Sequence, residues 1–107
     1  MKIPSIVPAA DTIYLVVNDF GAVGRAFVET DILETDLETV LRNIANGEYS
    51  KPVRVVALNT AEEWSRDVTT DVSIELLVRA ERNQIDLGAI ARDFVEYHTG
   101  RTLPVAE

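Results

Sequence analysis

An α+β fold is predicted from the sequence: a small, mainly antiparallel three-stranded sheet of order 2-1-3 with three helices, in the chain order β-β-α-β-α-α. Three observations predict it. Two short runs, residues 12–17 and 53–58, are dense in β-branched and apolar side chains. Three other stretches place apolar residues three and four apart, the period of one helix face. Turn chemistry punctuates the runs at Asn18-Asp19-Phe20-Gly21, Asn46-Gly47 and Gly100.

Residues 1–10 carry Pro4, Pro8 and small side chains and read as an extended lead-in. In the first strand Ile13, Leu15 and Val17 point one way, Tyr14 and Val16 the other. A strand apolar on both faces is a strand covered on both, so it takes the centre of the sheet. Residues 25–30 alternate, Ala26 and Val28 against Arg25, Phe27 and Glu29, as the more exposed second arm of a hairpin. Thr35 and Glu38 have the spacing of a capping box. Leu37, Val40, Leu41 and Ile44 then form one helical stripe, which Asn46-Gly47 ends. Pro52 introduces the third strand. Thr60 and Glu63 repeat the capping-box spacing, and Trp64, Val68, Val72, Leu76 and Ala80 follow at steps of four. That predicts a long helix with a weak point at Thr69-Thr70. Asp86 is the expected cap of the last helix, whose apolar face is Leu87, Ile90, Ala91, Phe94 and Val95. Gly100 stops it, and residues 101–107 form a tail. A three-stranded sheet is ~15 Å wide, room for about two helices of ~10 Å diameter per face. Three on one face would crowd. Either the last two helices cover the opposite face, or part of the sheet is left for a second subunit. No repeat or internal linker divides residues 1–107, which read as one domain.

Composition narrows the function. The chain has 107 residues and 47% hydrophobic content, far too apolar for a disordered segment. It has no cysteine, which excludes a disulfide framework, a thiolate metal site and a cysteine nucleophile. A single histidine, His98, excludes a two-histidine metal motif within one copy. The apolar runs are too short to span a bilayer, and the N-terminus lacks the pattern of a signal peptide, so a cytoplasmic setting is expected. The net charge is -8, from 10 Lys and Arg against 18 Asp and Glu. Neither half of the chain is basic, so no nucleic-acid partner is expected. An acidic surface keeps a small protein soluble, and residues 31–38 are where an acidic docking face would lie.

No motif carries a recognisable chemistry. Asp19-Phe20-Gly21 spells a kinase tripeptide without the Gly-rich loop, strand lysine or catalytic loop that would give it meaning. Gly21 and Gly24 lack the third glycine of a dinucleotide fingerprint. Glu62 and Glu63 would repel an anion from the expected helix start. Asp31, Glu34, Asp36 and Glu38 lack the spacing and central glycine of a calcium loop. No catalytic, cofactor-binding or metal-ligating residue is therefore assigned. His98 near a helix C-terminus suits the helix dipole. Trp64 reads as an anchor of helix to sheet, or, with Arg66, as part of an interface.

Two stretches have a familiar form. One runs from Tyr14-Leu-Val-Val-Asn-Asp-Phe-Gly to Glu29-Thr-Asp31; the other is Pro52-Val-Arg-Val-Val-Ala-Leu-Asn-Thr-Ala-Glu-Glu-Trp-Ser-Arg-Asp-Val68. They resemble a family of short alphaproteobacterial proteins with no established activity, over about residues 12–80. The resemblance implies a bacterial cytoplasmic setting and a stand-alone domain, and it implies no chemistry.

The reading that follows is a non-enzymatic protein-interaction or regulatory module that self-associates, as a homodimer, through an apolar surface the sheet leaves uncovered. Trp64, Arg66, Phe94 and Tyr97 are its expected anchors. The alternative is a small-molecule binder or enzyme with a site of carboxylates, Arg and His98, assembled within one copy or across a dimer. A helix-turn-helix reading would use Arg79, Arg82, Arg92 and Arg101, but Glu81, Asp86, Asp93 and Glu96 cancel their charge. No cofactor, nucleic acid or membrane partner is expected.

Overall fold

The structure, a computed structural model, describes residues 12–103. The expected lead-in and the tail beyond Leu103 lie outside the described residues. The elements are β1 (Thr12–Asp19), β2 (Arg25–Phe27), α1 (Leu37–Ala45), β3 (Pro52–Asn59), β4 (Trp64–Asp67), α2 (Thr69–Glu81) and α3 (Ala89–Thr99). The sheet is antiparallel throughout with order β2-β1-β3-β4.

The sheet thus has four strands where three were expected, and the correction lies between residues 60 and 68. The spacing of Thr60 and Glu63 fits a helix cap, but it also fits a tight reversal. Here Asn59 Oδ1 accepts from the Glu62 amide at 2.8 Å, and Glu63 takes a left-handed φ of 60°. The chain folds back, and residues 64–67 pair with β3, Asn59 opposite Trp64 and Val56 opposite Asp67. Trp64 and Arg66 share one face and Ser65 and Asp67 the other, the period of a strand. The helix begins only at Thr69, where the sequence placed its weak point.

The rest of the expected sheet is present. β1 lies between β2 and β3, antiparallel to both. β2 is shorter than expected, ending at Phe27. Two helix caps differ. Asp36, not Thr35, caps α1: its carboxylate accepts from the Thr39 amide at 3.0 Å. Thr35 is buried instead, its hydroxyl donating to Ile32 C=O and its own carbonyl accepting from the Tyr14 amide. Gly88, not Asp86, precedes α3, and its amide donates to the Ala45 carbonyl at 3.1 Å, tying α3 to the end of α1. Gly100 ends α3 at φ 72°, as a left-handed cap requires. Asn83 plays that part after α2, at φ 58°.

The core is one-sided. Val16, Val55 and Ala57 from the sheet join Val40, Leu41 and Ile44 of α1, Val72 and Leu76 of α2, and Ala91, Phe94 and Val95 of α3 in one buried cluster. All three helices lie on the same side of the sheet, α1 against β1 and α2 against β3. Helix α3 packs chiefly against α2, which relieves the crowding three helices would meet on so narrow a sheet. Removing a core side chain such as Leu41 or Leu76 to Ala would cost about 2–5 kcal/mol. No described helix covers the other face of β1, where Ile13, Leu15 and Val17 are half-buried and not fully buried as the two-sided apolar pattern predicts.

One side chain joins three elements. Thr69 Oγ1 accepts from the buried Val55 amide of β3 at 2.9 Å and donates to Asp67 Oδ1 of β4 from the first residue of α2. The sheet edges are short: β2 has three residues and β4 four, with Arg25, Arg66 and Asp67 among them.

Candidate functional site

Two surfaces follow from this arrangement. The first is the sheet face that no described helix covers. Cross-strand register puts Ile13, Leu15 and Val17 of β1 beside Leu58, Val56 and Arg54 of β3 on that side, with Phe27 of β2 opposite Val17. None of these apolar residues belongs to the buried cluster or packs against it. Phe27 is 53% exposed. The charges at the margin are matched within the chain. Arg54 pairs with Asp67 at 2.8 Å, and Arg25 lies 3.8 Å from Asp19. The face is apolar and carries no net charge.

The second surface is a cleft of about 560 Å³ where α3 passes the end of β1 and the start of β3. Its floor depends on Asn18, which the sequence presents only as turn chemistry. Asn18 faces inward in step with Tyr14 and Val16 and is 1% exposed. Its Nδ2 donates to Ser50 Oγ at 3.0 Å, and its Oδ1 accepts from the Lys51 amide at 2.7 Å. The Asp19 amide donates to the Lys51 carbonyl at 2.9 Å. Those bonds fix the Ser50–Lys51 backbone and so set where the Lys51 side chain leaves the chain. A register irregularity between Val17 and Asn18 leaves Val53 unmatched, and Val53 lines the cleft. Extra residues of this kind re-aim side chains beside functional sites.

The α3 wall is aromatic. His98 meets Phe94 and Tyr97 edge-on, at ring-centroid distances of 4.8 and 4.9 Å. Burial holds the His98 imidazole below its ordinary pKa, and the positive charge of Arg54 adds to that. Asp67 and a hydrogen bond with the Val53 backbone act the other way. His98 is therefore mainly neutral at neutral pH.

The four expected anchors fall in two places. Trp64 and Arg66 sit on β4, the guanidinium 5.0 Å from the indole centroid and the indole N–H donating to Glu62 at 2.9 Å. Trp64 is half-buried against the core. Phe94 is buried and forms part of the cleft wall, while Tyr97 stands at its rim, 83% exposed. The expected acidic segment is built into local structure. Asp31 and Asp36 cap the turns that follow them, and Glu38 bonds Arg79 of α2 at 2.7 and 2.8 Å. Among the described residues no three carboxylates or histidines gather where a metal would sit. No described helix is long and apolar enough to cross a membrane.

Fold and surfaces together define a two-layer α+β protein with helices on one side of its sheet and an apolar face on the other. Comparison with known families, curated proteins and solved structures gives no match for the chain.

Proposed function

We propose that the protein is a non-enzymatic interaction module whose sheet face opposite the helices binds a second copy of the chain. The single supporting observation is that apolar face, which lies outside the core although β1 and β3 carry core-type residues on it. Its occupant follows from charge. A chain of net charge -8 repels its own copy over most of its surface. This face, with Arg25 and Arg54 matched by Asp19 and Asp67, adds no repulsion when two copies meet. Area sets the strength. Strands ~4.8 Å apart with ~3.4 Å rise per residue give a flat footprint of roughly 400 Å² per copy. A pair so small belongs with weak, reversible complexes.

Sedimentation equilibrium over a wide range of protein concentration tests this. The wild type should shift from monomer to dimer as concentration rises. Phe27→Lys, an exposed change on an edge strand, should hold the chain monomeric with an unchanged circular dichroism spectrum. A wild type that stays monomeric throughout would overturn the reading and leave the face to a different occupant. So would a dimer that Phe27→Lys leaves intact.

A further inference from the structure

We propose that the cleft between α3 and the β1–β3 end of the sheet binds a small aryl carboxylate, a flat apolar ring bearing one negative charge. The cavity volume, about 560 Å³, lies within the range of small-molecule sites. Its charge departs from that of the chain. Arg25, Lys51 and Arg54, three of the ten Lys and Arg residues, line it, against only Asp19 and Asp93 of the eighteen acids. The lining thus carries one more positive than negative charge in a chain of net charge -8.

The cations differ in how free they are. Arg54 is held by Asp67 at 2.8 Å, and Arg25 is loosely matched by Asp19 at 3.8 Å. Among the described residues no carboxylate pairs with Lys51. Its ammonium is the group left to meet a ligand charge, and the Asn18 bonds fix the backbone from which it extends. The carboxylates of Asp19 and Asp93 limit the ligand to a single charge, because a polyphosphate would be repelled by both. The remaining wall selects the body of the ligand. Ile90, Phe94 and the exposed ring of Tyr97 offer an apolar and aromatic surface on which a flat ring stacks. The cleft shares Asp19, Arg25 and Arg54 with the margin of the sheet face, but Lys51 and the α3 wall belong to the cleft alone, so Lys51→Gln tests it separately from Phe27→Lys.

His98 is the chain's only histidine, so its ring protons give isolated signals in a proton NMR spectrum. The probe is 3-phenylpropionate, titrated into the full chain in a buffer free of other carboxylates and phosphate. Binding should move the His98 signals along a saturating curve. Lys51→Gln, an exposed change, should weaken that binding about tenfold, the loss expected for one charge-assisted contact. Arg66→Gln, outside the cleft, should leave the affinity unchanged. Inorganic phosphate alone and benzyl alcohol alone should each give little shift. The proposal is overturned if the His98 signals show no saturable response to 3-phenylpropionate. It is equally overturned if Lys51→Gln binds as tightly as the wild type, or if benzyl alcohol produces the same curve, which would show apolar adsorption only.

Discussion

At the scale of single residues, Thr69 carries the most consequence per atom. The sequence marks it only as half of a weak helical doublet, because β-branched threonines disfavour a helix interior. The structure places it at a helix start, where its hydroxyl reaches Val55 and Asp67. Thr69→Val keeps the shape and removes both bonds, leaving the buried Val55 amide unpaired. It should lower stability by about 1–3 kcal/mol in urea unfolding, whereas Thr69→Ser should retain most of it. A smaller effect for Val than for Ser would show that packing, not the hydroxyl, matters there. Asn18 was legible in principle: it continues the inward side of an apolar strand, and a polar group at such a position needs partners. Those partners, Ser50 and the Lys51 amide, lie more than thirty residues on, which no local pattern records. Asp36 was missed because two candidate caps stood side by side, and Thr35 was taken up by tertiary contacts.

Among the elements, those defined by long apolar periodicity were readable: β1, β3, α1 and α3 all lie where the pattern put them, within their end residues. β4 was not, since four residues are too few to separate a strand from a helical turn. The Trp64 to Ala80 steps of four merely joined a strand to a helix. A substitution separates the two structures directly. Glu63 sits at φ 60°, a conformation that costs an L-residue about 1–2 kcal/mol and glycine little. Glu63→Gly should therefore leave thermal stability unchanged or raise it by up to about 1 kcal/mol. In the first turn of a helix the same change would lower it by about 1 kcal/mol. The site was less legible than the elements, because its residues come from three separate stretches of the chain, 19–25, 50–54 and 90–98, which meet only in the fold.

For the whole molecule, acid should act in one direction. Asp67 is held below the ordinary carboxylate range chiefly by the Thr69 hydroxyl, Asp36 by bonds from Thr39, and Glu38 by the Arg79 guanidinium. Depressed carboxyl values stabilise the fold above the unfolded-state range near pH 4, and that contribution fades as pH falls through the lower folded values. His98 has the same sign by another route. Its folded value lies below 6.5, so the unfolded chain takes up the proton first as pH falls through that range. Denaturant midpoints should thus decline from pH 7 downward in two stages, and His98→Gln should remove the upper one. A midpoint that rises between pH 7 and pH 5 would contradict this. The short outer strands have a further bearing on what two copies can become. A sheet grows sideways by adding strands to long open edges, and runs of three and four residues set among charged side chains offer little to add to. Pairing face to face, by contrast, is used up by one partner. The association proposed for this sheet would stop at two copies and would not run on into filaments.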